Sequence, residues 1–454
     1  MTNETKAKEN FIKSNLDNIL LVVFLGIFLV VSITLAISQP HFDNPPIFTN
    51  PPDEAARFLV PMYIFEHGVI PNAYDEAVRI PGYGYSHVLF NAFPYIIMGY
   101  VMKVVGTFSK SFNTLLITAR MVNVLFGLIM AYVVRLLSKR VIKDRWLSWL
   151  FACLVTFMPQ ALFMHTYVNS DSMCMMSVSL IIYSLVCIYQ DKFNAKNSAL
   201  LSIGVICCAL SYYNAYGYII CAVLICLAYF KKDKGYDFKN MLRIGSIITG
   251  AVLVGILWWF IRNGILYDGD FLGLRTRDLM QSMYGVQIVS KKDEGYSLFQ
   301  MLLGDHYLSL LFNSFVAMFG SMSIPANIWI YRAYKLLFAA GTVGCILSVP
   351  GIISAFKNKE FKKIFFHINM VFCMVITFSI TIYYAYTMDY QYQGRYLLPM
   401  LIPLMYYMVK GYERILNLCT FIPRKVVNIL VSIATLLVVA MLLWYVFRNV
   451  LPVL

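Results

Sequence analysis

Charged residues are scarce in this sequence, and their scarcity excludes an ordinary soluble globular protein. Only 13% of the 454 residues are charged, whereas 60% are hydrophobic and the mean hydropathy is +0.68. In soluble domains about a quarter of the residues are Asp, Glu, Lys or Arg. The longest segments between hydrophobic runs are 39–112 and 263–326, so no separate soluble domain is predicted.

The sequence also lacks the cysteine spacing of a disulfide framework or a metal site. Its ten cysteines lie in hydrophobic runs or at their edges, and no C-x-x-C pair occurs. They are interpreted as small apolar packing residues. The net charge of +14 does not indicate nucleic-acid binding, because Lys and Arg cluster in short loops at 138–145, 231–243, 357–363 and 414–425. This distribution is typical of loops on the cytoplasmic side of a membrane.

Hydrophobic runs of about 20 residues, the length that spans a bilayer, recur along the whole chain. The sequence therefore predicts an all-α polytopic membrane protein with about 11 transmembrane helices and further helices along the outer face. The first run follows Lys6, Lys8 and Lys13 and is interpreted as an uncleaved anchor. The predicted spans are 18–38, 113–137, 146–167, 172–190, 198–213, 215–230, 242–262, 327–350, 364–386, 396–411 and 427–447.

The basic loops also predict which segments share a side of the membrane. With these loops inside, the N-terminus is inside and the C-terminus outside. The run 88–105 is expected to lie along the outer face, because a crossing there would put the basic loop 138–145 outside. Chemistry is predicted on the outer face, which collects five polar segments: 39–112, 169–171, 211–218, 263–326 and 388–395.

An adjacent acidic pair, Asp53 and Glu54, lies in the first outer segment. Ionisable groups near hydrocarbon are costly, so they are usually functional or firmly paired. In one interpretation Asp53 caps the following helix and pairs with Arg57, four residues on. In the other, Asp53 is a base that accepts a proton. The apolar neighbours Ala55 and Phe58 favour a raised pKa for Asp53, and Arg57 opposes this.

Four basic side chains on the outer face are candidates for binding a phosphate: Arg79, His87, Arg262 and Arg395. Arginine matches phosphate oxygens with two N–H groups at once. Arg79 and His87 flank a Gly/Tyr loop that contains Tyr85, and this loop is interpreted equally as a phosphate pocket with an aromatic wall or as a simple turn. Arg262 and Arg395 lie at span ends, where the alternative is snorkelling to the lipid headgroups.

Further polar residues on the outer face are candidates for substrate binding, each with a structural alternative. Asn169 and Asp171 precede a span, and their alternative role is to cap it. Tyr392 and Gln393 belong to a tyrosine-rich segment that is interpreted as a sugar platform or as ordinary interface tyrosines. The segment containing Asp305-His306 predicts a mobile loop and a surface helix that close over the substrates, or a solvated linker and an interfacial helix.

The polar motifs follow the order found in a known superfamily. They are Pro52-Asp-Glu54 after the first span, Asn169-Ser-Asp171, Trp258-Trp-Phe-Ile-Arg-Asn263 with Leu266-Tyr-Asp-Gly-Asp270, and Gln393-Gly-Arg-Tyr-Leu-Leu-Pro399. Over residues 18–410 the sequence resembles the GT-C superfamily of integral-membrane glycosyltransferases. The most similar branch is a poorly characterised bacterial one, related to aminoarabinose transferases and protein O-mannosyltransferases.

The resemblance implies roles for several residues. The acidic residue of the first outer loop is implied to be a catalytic base or a metal-associated carboxylate, which falls on Asp53 with Glu54 beside it. The implied donor is a sugar on a polyprenyl phosphate, reached from the outer leaflet, with a basic residue, here Arg79, against the phosphate. A divalent metal ion is an alternative to a cofactor-free site, although many relatives carry a His where this chain has Arg57.

Together these observations predict a glycosyltransferase of the bacterial cytoplasmic membrane with its site on the outer face. It is expected to move a sugar from a polyprenyl-phosphate donor to a glycan or lipid acceptor of the cell envelope. Such a transfer needs a base for the acceptor hydroxyl and a cation for the leaving phosphate. We expect one membrane domain, with a GT-C module over 18–262, an outer segment over 263–326 and C-terminal helices over 327–454.

Two alternatives to a glycosyltransferase are a transporter and a lipid-linked-sugar flippase or accessory protein of envelope polysaccharide synthesis. A transporter would place ionisable groups near the middle of the membrane in two related halves. Here the spans are nearly uncharged at their centres, and no internal repeat is visible. The flippase stays open, although it has no need for a base at Asp53.

Overall fold

The computed structural model is a bundle of helices, which confirms the predicted all-α class. It describes residues 3–40, 51, 53–90, 92–232, 235–285, 288–304, 306–358 and 360–454. The α-helices are α1 (Asn3–Ser38), α2 (Glu54–His67), α3 (Phe93–Val105), α4 (Phe112–Val141), α5 (Arg145–Thr156), α6 (Pro159–Phe163), α7 (Asp171–Gln190), α8 (Ala195–Ala209), α9 (Tyr216–Tyr229), α10 (Phe238–Leu266), α11 (Leu274–Met283), α12 (Leu298–Gly304), α13 (Tyr307–Val316), α14 (Ile328–Leu347), α15 (Val349–Lys357), α16 (Phe361–Thr387), α17 (Leu401–Leu418) and α18 (Arg424–Tyr445).

Short elements complete the described part of the chain. Two antiparallel hairpins pair β1 (Lys231–Lys232) with β2 (Gly235–Tyr236) and β3 (Met318–Phe319) with β4 (Ile324–Pro325). Short 3₁₀-helices cover Glu76–Val78, His87–Leu89, Tyr213–Ala215, Gly394–Met400 and Leu451–Val453, and a π-helix covers Val446–Val450.

Among the described residues, seven helical stretches are long and apolar enough to cross a membrane. They are Asn15–Ser38, Phe112–Val141, Asp171–Gln190, Phe238–Leu266, Ile328–Gly351, Phe361–Thr387 and Arg424–Val453. Each coincides with a predicted span. The other four predicted spans correspond to shorter elements, at α5 with α6, at α8, at α9, and at α17 with the preceding 3₁₀-helix.

Proline explains why the predicted span 146–167 is divided. Helix α5 ends at Thr156 and α6 begins at Pro159. Proline has no backbone N–H and disfavours a helical conformation in the residue before it, so it stands at a helix start. Helix α3 has 13 residues, fewer than the about 20 needed to span a bilayer. This length agrees with the expectation that the run 88–105 does not cross.

The two ends of the bundle differ in chemistry. At one end, segments predicted to be outer contact one another, through Asp53 with Arg395, Arg57 with Asp171, Pro71 with Arg262, Tyr213 with Leu272 and Lys292 with Tyr386. At the other end the basic loops meet, through Asp17 with Arg145, Arg140 with Asp191, and Asp144 with Arg424. The five polar segments therefore lie together, as expected. Their exposure to the outside stays a prediction.

Helix α7 is central and α10 is peripheral. In the most apolar part of α7, 94% of the residues are buried, compared with 6% in α10. Because α7 begins at Asp171, the central helix delivers a carboxylate to the end of the bundle where the outer segments meet.

Candidate active site

The candidate site is organised by an ion pair between the first outer loop and the C-terminal part of the chain. The Oδ2 atom of Asp53 lies 2.8 Å from Nη2 of Arg395 and 3.4 Å from Nη2 of Arg57. The Asp53 side chain is 45% exposed, whereas those of Arg395 and Arg57 are 4% and 9% exposed. The two arginines therefore form the wall of the site, and the carboxylate stands in front of them.

Asp53 does not use its carboxylate to cap α2. It precedes the helix with φ of 59°, in the left-handed region that Asp tolerates better than most residues, and its side chain makes no capping hydrogen bond. The predicted i,i+4 pair with Arg57 is present. Of the structural alternatives for Asp53, the ion pair is thus confirmed and the cap is wrong.

Gly394 explains how Arg395 reaches the site. A Cβ atom at Gly394 would overlap the backbone nitrogen of Phe315 in α13. Its own N–H donates to Oγ of Ser314 at 2.7 Å. Only glycine lets the 3₁₀-helix that carries Arg395 pack this closely on α13. The glycine of the Gln-Gly-Arg motif therefore relieves packing, and it positions the arginine that follows it.

Arg57 connects Asp53 to the start of the central helix. Its Nη1 lies 3.6 Å from Oδ2 of Asp171. Several buried polar atoms at this point have no hydrogen-bond partner in the described part of the chain. They are Nε and Nη1 of Arg57, Nε and Nη1 of Arg395, and both carboxylate oxygens of Asp171. Leaving a buried polar group unpaired costs about 1–3 kcal/mol, so these atoms mark a place where a polar ligand would be stabilised.

Two cavities meet at Arg57. The first, of about 370 Å³, is polar and is lined by Asp53, Tyr83, Tyr85, Arg277, Asp278, Gln281, Asp389, Gln391 and Arg395 among others. The second, of about 230 Å³, is aromatic and is lined by Phe90, Tyr95, Tyr212, Tyr213 and Leu274 among others. Arg57, His87, Arg277, Tyr384 and Tyr396 line both cavities.

The arginines set the ionisation of the groups beside them. Burial alone would raise the pKa of Asp53, but the charges of Arg395 and Arg57 outweigh it and hold this pKa well below its ordinary value. Of the two opposing influences expected on the pKa of Asp53, the arginine charges therefore outweigh the apolar surroundings. Burial and the charge of Arg57 lower the pKa of His87 to about 3, which leaves the imidazole neutral at physiological pH. Burial and Asp53 raise the pKa of Tyr85 to about 12.

Glu54 lies away from both cavities, although it is adjacent to Asp53. Its two carboxylate oxygens accept hydrogen bonds of 2.9 and 2.6 Å from Arg120, and Oε1 also accepts one of 2.8 Å from the N–H of Val168. Both side chains of the pair are 0% exposed. Arg120 also donates to the carbonyl groups of Ala36 and Gln39. Glu54 thus joins α2 to α1, α4 and the segment before α7.

Two of the predicted phosphate-binding arginines, Arg79 and Arg262, also lie away from both cavities. Arg79 donates a hydrogen bond of 2.6 Å to the carbonyl of Tyr74 and does not line either cavity. Arg262 donates one of 2.5 Å to the carbonyl of Pro71 and lines a separate open groove. Of the four basic candidates, the structure brings His87 and Arg395 to Asp53.

Some of the predicted substrate-binding residues lie at the site, and others lie away from it. Tyr85 and Asp171 are at the site, as described above. Asn169 is buried, and its Oδ1 accepts a hydrogen bond from the N–H of Ser172, which is the capping role given as its alternative. Tyr392 and Gln393 do not line either cavity, although their neighbours Gln391 and Arg395 do. His306 is exposed at the start of α13, and Asp305 lies outside the described residues.

Sequence reasoning missed some cavity residues. At the level of sequence Arg57 is expected to pair with Asp53 and to lower its pKa but not to line a cavity, although its i,i+4 spacing places it beside Asp53. Arg277 comes from α11, whose sequence is rich in charged residues and gives no signal that separates Arg277 from its neighbours Arg275 and Asp278. Tyr396 adjoins Arg395 in the Gly-Arg-Tyr motif, and that adjacency is the signal that identifies it.

The site as arranged does not fit a divalent metal ion. Arg57 stands between the carboxylates of Asp53 and Asp171, at 3.4 and 3.6 Å, where a shared cation would be expected. Among the described residues, no three His, Cys, Asp or Glu side chains come together as ligands. No step of the reaction is therefore derived through a metal.

Comparison with solved structures supports the predicted superfamily at the level of the fold. The archaeal oligosaccharyltransferase AglB from Archaeoglobus fulgidus, in complex with an inhibitory peptide and a dolichol-phosphate, has a TM-score of 0.52 and 13% identity, over 94% of this chain and 55% of that one. ArnT from Cupriavidus metallidurans, bound to undecaprenyl phosphate, has a TM-score of 0.51 and 13% identity, over 95% and 73%. The arabinofuranosyltransferase AftD from Mycobacteria has a TM-score of 0.52 and 13% identity, over 95% and 27%.

These neighbours are GT-C glycosyltransferases, so the chain has the GT-C fold. It spans about half the length of AglB and about a quarter of AftD. No curated protein matches the sequence. A family model described as "Predicted membrane protein (DUF2142)" matches residues 72–405. Because this match covers most of the chain, the protein belongs to the DUF2142 family of membrane proteins.

Proposed function

We propose that this protein transfers a sugar from a polyprenyl-phosphate donor to a glycan or lipid acceptor of the cell envelope, with Asp53 as the general base. The observation that carries the proposal is the position of Asp53. Its carboxylate is partly exposed in a polar cavity and lies in front of two buried guanidinium groups that have unpaired N–H groups. A base and a cationic site for an anion are the two elements that sugar transfer from a lipid phosphate needs.

In the proposed reaction, Asp53 accepts a proton and the two arginines bind the phosphate that leaves. The acceptor hydroxyl oxygen bonds to the anomeric carbon of the sugar, while the bond from that carbon to the phosphate oxygen breaks. The hydroxyl proton passes to Asp53, and the electron pair of the broken bond stays on the lipid phosphate. Arg395 and Arg57 stabilise the added negative charge, because charge-assisted hydrogen bonds from guanidinium to phosphate are strong and directional.

Donor binding would also change the basicity of Asp53. Arg395 and Arg57 lower the pKa of Asp53, which makes the carboxylate a weak base. A bound phosphate would share these cations and weaken their effect on Asp53. The pKa of Asp53 would then rise when the donor is present, and this change would couple proton transfer to occupation of the site.

The two cavities fit different parts of the substrates. The aromatic cavity suits the first isoprene units of the donor, because Phe90, Tyr95 and Leu274 provide apolar surface. The polar cavity suits the sugar and the acceptor hydroxyl, because Gln281, Gln391 and Asp389 offer hydrogen-bonding groups. AglB and ArnT, two of the structural neighbours, have bound dolichol-phosphate and undecaprenyl phosphate, respectively, which agrees with this class of donor.

The proposed location is the outer face of the bacterial cytoplasmic membrane. The Lys/Arg-rich loops gather at the opposite end of the bundle, where Arg140, Arg145 and Arg424 form their ion pairs. Loops of this composition stay on the cytoplasmic side. The end of the bundle that carries Asp53 would then face outwards.

The experiment is sugar transfer by the purified full-length protein, from a labelled polyprenyl-phosphate sugar to an envelope acceptor fraction. Asp53→Asn should bind the donor and lose about 10²–10⁴-fold in rate, as expected when a general base is removed. Glu66→Gln is the matched control, because Glu66 is an exposed carboxylate on α2, the helix that follows Asp53.

The same variant distinguishes the second candidate function. A lipid-linked-sugar flippase would use the arginines for the phosphate but would not need a base. Transport of the labelled lipid across vesicles that is unaffected by Asp53→Asn, without sugar transfer by the wild type, would favour the flippase and contradict the proposal.

A further inference from the structure

A separate cavity lies at the basic end of the bundle, opposite the candidate active site. It has a volume of about 270 Å³ and is formed by residues of α4, α5, α7, α16 and α17 together with the α4–α5 loop. Its floor is apolar and buried, since Phe151 is 0% and Ile402 is 4% exposed. Its rim carries three cations, Arg140, Lys143 and Lys363. The proposed transfer reaction uses none of these residues.

Two of the three rim cations are available to a ligand. Lys143 is exposed, and within the described part of the chain it forms no ion pair. Lys363 lies 3.1 Å from Glu360, but these side chains are 58% and 43% exposed, and such surface pairs contribute little. Arg140 is held more firmly, 2.9 Å from Asp191. With three cations against two carboxylates, the rim is net positive.

We propose that this cavity binds an anionic phospholipid, with the phosphate at Lys143 and Lys363 and an acyl chain over the apolar floor. The negative phosphate would then contact the two lysines, and the apolar chain would contact the apolar floor. Basic pockets between transmembrane helices on the cytoplasmic side are suited to anionic headgroups, because the inner leaflet presents them there. A free phosphate would satisfy the lysines but leave the floor without an apolar partner. The inference does not depend on the proposed transfer activity.

The experiment measures lipid binding to the full-length protein in a neutral detergent by native mass spectrometry. Dioleoyl phosphatidylglycerol should bind with saturation at one site. The double variant Lys143→Gln/Lys363→Gln should bind it more weakly, by about fivefold for each charge removed. Both lysines are exposed, so these changes should not affect folding.

A matched double variant, Lys139→Gln/Lys425→Gln, provides the control. It removes the same charge from two exposed lysines at the same end that do not line the cavity. Its affinity for phosphatidylglycerol should equal that of the wild type. Equal losses in the two double variants would reduce the effect to general surface attraction and overturn the proposal.

Three further compounds, two lipids and one soluble phosphate, test the identity of the occupant. Dioleoyl phosphatidylcholine, which has no net charge, and glycerol phosphate, which has no chain, should each compete poorly with phosphatidylglycerol. If glycerol phosphate competed as well as the lipid, the cavity would be a simple phosphate site. If undecaprenyl phosphate bound there more tightly, with the same dependence on Lys143 and Lys363, the occupant would be the polyprenyl carrier. Either result would refute the assignment.

Discussion

The buried pair of Glu54 and Arg120 allows the two adjacent carboxylates to be separated experimentally. Glu54 accepts hydrogen bonds from Arg120 and from the N–H of Val168, and both side chains of the ion pair are fully buried. Glu54→Gln preserves the shape of the side chain and removes its negative charge. We expect this variant to insert into the membrane and to transfer sugar, but to be less stable than the wild type.

The size of the effect follows from the surroundings of Arg120. Removing one partner of a buried ion pair typically costs about 3–5 kcal/mol. Arg120 would keep the carbonyl oxygens of Ala36, Gln39 and Pro40 as acceptors. We therefore expect a loss near the lower limit, about 3 kcal/mol. Glu66→Gln, an exposed change on the same helix, should alter the free energy of unfolding by no more than about 0.5 kcal/mol.

The assay combines denaturant unfolding of the full-length protein in detergent with the transfer rate per folded molecule. Glu54→Gln should shift the unfolding midpoint while its folded fraction retains activity. Asp53→Asn should instead lose activity in its folded fraction, and its midpoint should also fall, because the buried guanidinium groups of Arg395 and Arg57 lose their carboxylate partner. If Glu54→Gln unfolded like the wild type but lost transfer, Glu54 would belong to the chemistry and the structural interpretation would be refuted.

Three further predictions concern donor binding, pH dependence and topology. Arg395→Ala should lower the affinity for the polyprenyl-phosphate donor about tenfold or more, since a charge-assisted bond of about 1.5–3 kcal/mol is lost; Arg79→Ala should have less effect, and equal losses would return Arg79 to the phosphate site. The pKa of His87 is about 3 when folded, so between about pH 6.5 and 3 the unfolded chain binds a proton that the folded chain does not. Stability should fall as the pH falls through this range, less steeply in His87→Gln, and identical profiles would contradict the reasoning. In intact cells an impermeant thiol reagent should label Glu76→Cys but not Lys139→Cys, and the reverse pattern would invert the topology.

The sequence by itself determined that the chain inserts into a membrane and which segments gather at one end. Both properties depend on local composition, since about 20 apolar residues suffice for a span and Lys or Arg in the flanking loops sets its direction. The motifs around Asp53 and Arg395 could also be recognised as candidate site motifs, because they occur in the order typical of the GT-C superfamily. Spans divided by proline or built from short helices were located less accurately, since packing among helices decides where each one ends.

Only the tertiary structure decided which side chains act together. Glu54 follows Asp53 directly, but Glu54 begins α2 whereas Asp53 precedes the helix in the left-handed region, and the two carboxylates face different surroundings. Glu54 meets Arg120, 66 residues away, while Asp53 meets Arg395, 342 residues away. Arg57 returns to the face of Asp53 because four residues complete about one turn. Partners so distant in sequence are brought together by the packing of α2, α4 and α13. The spacing of these residues along the chain does not predict that packing.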